Sequence, residues 1–561
     1  MEFKPEKQYI AKLLGEEGRK FIIPEYQRPY RWTKDECETL WNDILGVFGD
    51  GSKVDEYFLG SIVTYKNDNG ELEIIDGQQR ITTFTLLFRA FYECLKEEDE
   101  SAKGDYPKDF GKCIWEYTRD KGFCFENRHL ISRVITSKNE KALEKLLSEN
   151  CKLEDKDKNS NYAFKKLTWK DFCEMFLGNK LFVLLVVCDS QESAMTIFNT
   201  LNSRGLPLSN ADILKGYIYK KSVEKEKFAN DWKDIETKIE ESDKVKDLDF
   251  LFLQYMHIIR AENEDTNTTT QGVLPFFTKT DKKEYYGALQ NWLYKPETMP
   301  FISNLADFWI NPEEYLSDKS SRYIRILNLF QNDTWKFFVS YLVWRNRDCF
   351  NDNDNFNKDK FSEEFDKYLL ELIKFITLHF INNNASTNVI KDIVFKMNVS
   401  LYKKEKFPEI QQSMPEKNIF LDIMKKFDTR KIKYILFLYA YIYSKFEEDI
   451  NASDLEVEHI LPKEWQNANF DGWDEQTHKE YVEKIGNKIL LDKKSNIKCS
   501  NNFFAKKQEI YKKIYDRGYN LKEVYDLGIR ERNIWEKKDI DNRGNEIYKN
   551  LNSFLLDNNK N

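Results

Sequence analysis

The chain has 561 residues, 15% of them aromatic, so it can bury large apolar cores, and wholesale disorder is excluded. Its 21 glycines and 12 prolines are about half the average share, which argues for long helices and against a many-turned sandwich or barrel. A net charge of −8 excludes a protein that coats nucleic acid by bulk charge, while leaving room for local basic grooves.

In chain order, Phe21–Ile23 and Tyr57–Tyr65 read as extended, and Leu72–Ile75 runs into the turn pair Asp76-Gly77. Ile81, Phe84, Leu87, Phe88 and Phe91 then recur at helical spacing. From Phe91 to about Lys180 the pattern reads as helical, with a charged loop at Glu154–Asn161. Leu181–Val187 is a short continuous apolar run, most simply a buried strand. Ser193–Leu201 and Ala211–Lys221 read as helices around the polar turn NSRGLPLS, with Ser209 and Asp212 forming a capping box.

Residues 226–400 are helix-rich and aromatic, broken near Glu262–Gln271 and Arg347–Lys360, with no repeat and no chemical motif. Arg430–Lys445 reads as a strongly apolar helix. An acidic turn and the strand-like segment LEVEHILP follow it, and the tail from Tyr511 onward is charged and helical. The pattern is α+β and predominantly helical. It divides into residues 1–225, a helical connecting region 226–400, and residues 401–561 with a helical tail.

The longest apolar runs, Leu181–Cys188 and Ile435–Tyr443, fall well short of the roughly 20 residues that span a bilayer. The first residues, MEFKPEKQYI, lack a secretory apolar stretch. Nine scattered cysteines form no CxxC pair and have no nearby histidine, so they read as free thiols. These features lead us to expect a cytoplasmic protein with no membrane partner.

Two regions carry chemistry. In IIDGQQRITTFTLLFRA, residues 74–90, a strand ends at Asp76, turns at Gly77 and opens a helix. A helix's first turn offers unpaired N–H groups to an anion, Gly77 permits close approach, and Arg80 can clamp phosphate oxygens. Gln78, Gln79 and Thr82 add neutral donors, and Asp76 suits a metal or a sugar hydroxyl. On this segment alone, Asp-Gly reads equally well as a plain turn and Arg80 as a structural ion-pair residue. Upstream, FIIPEYQRPYRW groups Tyr26, Gln27, Arg28, Tyr30, Arg31 and Trp32, aromatic faces for bases and guanidinium groups for phosphates. Downstream, the loop FNTLNSRGLPLSNADILK presents Asn202, Arg204 and Gly205.

The second region surrounds one of only five histidines. His257 and His379 sit in apolar helical patterns, His478 reads as a solvated helix position, and His129 reads as structural. His459 is preceded by Glu458 in a short strand, with Asn487 and Asn496 downstream. A neutral His459 suits a general base, and Glu458 and Asn496 offer the hard oxygen ligands that Mg²⁺ or Mn²⁺ takes. Asn487 can orient His459 by a backbone or side-chain hydrogen bond. Read apart from the rest, Glu-His-Ile-Leu-Pro also serves merely to end a strand. Residues 484–513 hold nine lysines against Asp492 and Glu509, a local net charge of +7 that suits a polyanion.

Taken together, IPEYQRPYRW, DGQQRITT and FNTLNSRGLPLSNADILK resemble the GmrS-like half of GmrSD-type modification-dependent (type IV) restriction proteins, over residues 8–225. The resemblance implies a ParB/sulfiredoxin-like fold whose DGQQR segment binds and hydrolyses a nucleoside triphosphate. It assigns nucleotide binding to Gln27, Arg28, Asp76, Gly77, Gln78, Gln79 and Arg80, with Asn202 and Arg204 in a further nucleotide loop. The ordered set EHILP, GNKILL, Asn496 and NNFFAKK resembles the GmrD-like, HNH-type (ββα-metal) nuclease half of the same family, over residues 430–510. It implies His459 as general base, Glu458 and Asn496 as metal ligands, Asn487 as the central asparagine of the catalytic set and Lys506 as a phosphate contact. Asn501 and Asn502 stand as neighbouring candidates for the third ligand.

The expectation is therefore an NTP-dependent, modification-sensing DNA endonuclease in antiphage defence. Two alternatives stand beside it: a nucleotide-switched DNA-binding regulator with an inactive nuclease half, and an HNH nuclease acting on RNA. The sequence leaves open which modification is sensed, which triphosphate is used, and whether the chain forms a homo-oligomer.

Overall fold

The computed structural model describes residues 3–24, 27, 30–48, 56–96, 104–134, 142–149, 169–190, 193–194, 197, 209–330, 332–351, 356–383, 387–408, 413–464 and 473–556. Packing divides the chain into two units, Met1–Asp234 and Ile235–Asn561. Residues 226–400 and 401–561, expected as separate regions, thus share one unit except for 226–234. The helix Thr387–Lys403 runs straight across the expected 400/401 boundary.

The first unit is built on a mixed six-stranded sheet. Its strands are β1 (Phe3–Tyr9), β2 (Phe21–Ile23), β3 (Tyr57–Lys66), β4 (Leu72–Asp76), β7 (Leu130–Ser132) and β8 (Leu181–Cys188), in the order β1-β8-β3-β4-β2-β7. β8 lies inside the sheet, antiparallel to β1 and parallel to β3, which is why its sequence is an unbroken apolar run. Helix α1 (Gln78–Lys96) follows β4 and buries Ile81, Phe84, Phe88 and Leu95 along one face. Each such side chain contributes roughly 1.5–3 kcal/mol.

A second sheet in this unit, β5 (Trp115–Thr118) with β6 (Gly122–Arg128), corrects the expectation of helix from Phe91 to Lys180. Gly122, at φ +74°, turns the hairpin, and the alternating aromatics bring Trp115 onto Phe125, with ring centres 4.9 Å apart. Helix α2 (Asn210–Lys221) opens with the expected capping box: Ser209 and Asp212 exchange side-chain and backbone hydrogen bonds.

The second unit is helical apart from one hairpin. His257 is core, as expected, stacked between Phe337 and Phe395. Helix α3 (Lys358–Asn383) meets α4 (Thr429–Tyr443) through a buried Thr377–Tyr434 hydroxyl pair at 2.7 Å. α4 is buried almost all round, the signature of a core helix. The hairpin of β9 (Leu455–His459) and β10 (Lys488–Asp492) packs on it and is followed by α5 (Lys493–Cys499), α6 (Phe504–Tyr511) and the tail helix α7 (Lys537–Leu556).

α7 fixes the start of β10. The buried Arg543 donates to the carbonyls of Ile485, Gly486 and Lys488 at 2.7–3.2 Å and pairs with Glu523 at 2.7 Å. Gly486 is pressed against α7 so closely that a Cβ there would collide with the Ile540 carbonyl and lie 2.8 Å from Gly544 N. Gly486→Ala should therefore cost about 3 kcal/mol or more and lower the melting temperature by about 5 °C or more. A thermal melt of the variant beside the parent chain measures this, and an unchanged melting temperature would refute the backbone clash.

Candidate active site

β9 reads Leu-Glu-Val-Glu-His, and strand geometry sends alternate side chains to opposite faces. Glu456 and Glu458 share the face covered by α5 and α6. Val457 and His459 share the other. On the first face Asn496 donates from Nδ2 to Glu456 Oε2 at 2.8 Å. Lys507, fully buried on α6, donates to Glu458 Oε1 at 2.6 Å and to the His459 carbonyl at 2.5 Å. Burial pushes the Glu458 carboxyl above the usual range, and Lys507 opposes that rise. Glu458, expected as an open metal-facing carboxylate, is thus an internal ion-pair partner, and the acid that Asn496 touches is Glu456.

His459 lies across the ladder from Lys488. Its buried Nε2 makes no hydrogen bond, and Glu483 Oε1 stands 3.5 Å away. Lys488, itself buried, holds the other Glu483 oxygen at 2.6 Å. Burial lowers the His459 imidazole to about 4, with Glu483 raising it and Lys488 and Lys463 lowering it. The ring is therefore neutral near pH 7. It opens on a cavity of about 480 Å³ lined also by Glu458, Lys463, Glu483, Asn496, Ser500 and Asn501.

Asn487 does not reach the cavity. Wholly buried, it accepts from Leu461 N at 2.7 Å and Trp535 Nε1 at 3.2 Å, and donates to the Val482 and Leu461 carbonyls at 3.0 and 3.3 Å. Its own carbonyl accepts from Ile460 N at 2.9 Å. The expected orienting asparagine thus acts on the two residues after His459 and is a positioning residue. His478, expected to be solvated, is buried and donates to the Pro462 carbonyl at 2.8 Å, fixing the same turn.

The oxygen donors at the cleft are of the type a hard divalent cation takes: the amide oxygen of Asn496 and the carboxylates of Glu456 and Glu458. Among the described residues there is no group of three or more His, Cys, Asp or Glu that could hold a metal ion.

The lysine-rich segment is less basic at its surface than its composition indicates. Lys488 and Lys507 are consumed by buried acids, Lys484 pairs with Asp541, and Lys512 with Glu509. Lys493, Lys494, Lys498, Lys506 and Lys513 remain exposed.

In the first unit Gly77, at φ +94°, turns β4 into α1, and a Cβ there would lie 2.8 Å from Ile62. Arg80 donates to the Ser61 carbonyl at 2.5 Å and lies 3.6 Å from Asp76, matching the structural alternative for this residue. Burial raises the Asp76 carboxyl, and Arg80 opposes the rise. Gln27 is buried and donates to the Ile74 and Ile75 carbonyls, while Gln79 accepts from Arg31 N and Trp32 N. Gln78 is buried at the start of α1. Arg28, Asn202 and Arg204 lie outside the described residues.

Sequence reasoning missed Glu456, Glu483, Lys488 and Lys507 as individual residues. The strand alternation that pairs Glu456 with Glu458 was a usable signal for the first. Glu483 had none, because it meets His459 only through the fold.

Comparison with known families places the chain among restriction endonucleases, enzymes that cut DNA in restriction defence. The model of the GmrSD restriction endonuclease N-terminal domain matches residues 10–219, and that of the C-terminal domain matches residues 412–550. The chain belongs to the GmrSD restriction endonuclease family. A search of curated proteins gives no match. Among the described residues no helix is long and apolar enough to cross a membrane.

The depressed His459 has a stability consequence. Its folded-state value, about 4, lies below the unfolded value near 6.5, so between these pH values the unfolded chain binds more protons. Stability contributed by this residue should rise with pH through that window, by no more than about 3 kcal/mol. Urea unfolding of the parent chain and His459→Gln at pH 4.5 and 7 reads this, the variant losing less on acidification. Equal losses would show that His459 titrates normally.

Proposed function

We propose that the chain is an NTP-dependent, modification-sensing DNA endonuclease that hydrolyses phosphodiesters at the β9–β10 cleft, with His459 as general base. The observation that carries this reading is the neutral imidazole whose buried Nε2 makes no hydrogen bond at a cavity of about 480 Å³. Such a ring takes a proton from water as the water oxygen attacks phosphorus and the bond to the leaving sugar oxygen breaks. Glu483, held by Lys488, balances the imidazolium that forms. Lys463 at the cavity and the exposed Lys506 serve the phosphate charge. Mg²⁺ or Mn²⁺ would be held by Asn496 with Glu456 and Glu458, and would supply positive charge against the scissile phosphate. The hairpin followed by α5 supports an HNH, ββα-metal assignment.

His459→Ala should abolish cleavage of plasmid DNA in Mg²⁺ or Mn²⁺ while leaving DNA and nucleotide binding intact. Retained cutting would remove His459 from the mechanism.

For the first unit we propose triphosphate binding at the β4–α1 turn, within a ParB/sulfiredoxin-like fold. The Gly77 turn opens a 19-residue helix whose first-turn N–H groups favour an anion. Arg80, anchored to Ser61 and Asp76, would shape this turn from behind. Arg80→Ala should lower triphosphate turnover and its coupling to cleavage, read by phosphate release on variant protein with a parent-like melt. Unchanged turnover would place the nucleotide elsewhere.

The Lys507–Glu458 pair favours a second reading, a nucleotide-switched DNA-binding regulator with an inactive nuclease half, because an expected metal carboxylate is already neutralised. Plasmid nicking with either metal, with and without triphosphate, separates the two.

A further inference from the structure

The charge in the β9–β10 cleft is close to balanced before any phosphate arrives. Among the described residues the cavity is lined by three acids, Asp428, Glu458 and Glu483, and by two lysines, Lys463 and Lys488. Asp428 is spent on capping α4, where it accepts from Arg430 N and Lys431 N at 3.0 Å, with Lys431 Nζ 3.9 Å away. Lys488 holds Glu483 at 2.6 Å. A further positive charge comes from Lys507, which is fully buried, lines no part of the cavity and meets Glu458 from the protein interior. Glu456, bonded to Asn496, adds one more acid beside the cleft. Burial lowers the Lys433 ammonium, and Glu456 and Asp454 both oppose that fall, so Lys433 and Asp454 cancel as neighbours of Glu456.

A cation entering this cleft alone therefore meets no more than one unbalanced negative charge. Oxygen sites hold hard divalent ions more tightly the more charge their ligands bring. Glu458 brings little, because Lys507 donates to its Oε1 at 2.6 Å. A DNA phosphodiester carries the negative charge that the cleft lacks, and hydrolysis at His459 requires it in this same cavity. Cation and phosphate then tighten one another, and that coupling must be equal in both directions.

We propose that the nuclease cleft takes its divalent cation together with the DNA phosphate and not before it, and that Lys507 enforces this order by neutralising Glu458. The assignment rests on the nuclease reading and the metal ligands proposed with it, and adds the order of assembly. Lys507 is a positioning residue: it acts through Glu458 and through the His459 carbonyl, which it holds at 2.5 Å. The consequence is a metal site that is completed only on substrate.

The test uses the full chain carrying His459→Ala, so that binding is read without cleavage. Free Mn²⁺ is followed by electron paramagnetic resonance with and without a short duplex, and uptake by the duplex alone is subtracted. Without DNA this parent should bind Mn²⁺ in the millimolar range, and duplex should tighten binding about tenfold or more. Adding Lys507→Gln, which keeps a donor for Glu458 and removes the charge, should tighten DNA-free binding about tenfold or more and shrink the effect of duplex by the same factor. Damage to the fold would weaken binding instead, so a purely structural Lys507 cannot give this result. Asn496→Asp adds one negative charge to the same donors and should move both readings the same way; it decides the matter if a melt shows Lys507→Gln unfolded. Equal affinity with and without duplex in the parent, or a parent-like DNA-free affinity in the deciding variant, overturns the order of assembly. If the wild-type chain nicks plasmid DNA in Mn²⁺ while either result holds, only the order falls. If it neither nicks nor takes up Mn²⁺ with duplex present, the nuclease reading falls with it.

Discussion

The side chain of Asn487 is the constraint on which the cleft depends. Beyond His459 the chain leaves the ladder at Ile460 and turns through Leu461 and Pro462, where strand pairing no longer holds it. Asn487 supplies what the sheet does not: its peptide carbonyl takes Ile460 N, and its amide takes Leu461 N and gives to the Leu461 carbonyl. The same amide reaches the Val482 carbonyl and accepts from Trp535, so the entries to β10 and α7 meet the exit of β9 at one buried group. Each such bond is worth only about 1 kcal/mol net, but leaving one partner buried and unpaired costs more than that. The turn that follows His459 is thereby held by an amide that lies outside the cavity.

The two candidate regions differ in how their polar groups are spent. Around the β4–α1 turn, Arg80 and Gln27 are committed to main-chain carbonyls and Gln79 to main-chain N–H groups. Each region also holds a buried polar atom without a hydrogen bond, Thr82 Oγ1 on α1 and His459 Nε2 in the β9–β10 cleft, and only the second lines a described cavity, 3.5 Å from Glu483. Buried polar groups are almost always satisfied, so an orphan at a cavity is a stored cost that a ligand can relieve.

Much of the fold was written in short-range pattern. The apolar run of β8, the helical spacing from Ile81 to Phe91, the Ser209–Asp212 capping box and the apolar helix α4 each follow from neighbours within a few residues. The β5–β6 hairpin was missed because its strands are short, although the alternation of Trp115 with Tyr117 and of Phe123 with Phe125 was a usable signal. That residues on either side of 400/401 pack into one unit was not legible, because nothing local records that α3 and α4 share a core. Within the site, His459, Asn487 and Asn496 were legible as an ordered set. The commitment of Glu458 to Lys507 was not, since that contact joins residues 49 positions apart. Nor was the burial of His478, whose segment DEQTHKEY is polar on every side.

Glu456 and Glu458 are engaged by the helices α5 and α6, and Glu458 lines the same cavity as His459 and Asn496. A carboxylate buried as deeply as Glu458 cannot remain charged without a partner, and Lys507 provides one with no ion bound. Removing either member would leave a lone charge in the interior and release the His459 carbonyl that Lys507 also holds. The pair therefore fixes the end of β9 with no ion bound. In the metal site proposed above, Asn496, a neutral amide on α5 that hydrogen-bonds to Glu456 through Nδ2, would add an oxygen ligand without adding charge. An acid at that position would have faced Glu456 and Glu458 with a third negative charge and only Lys507 to balance them.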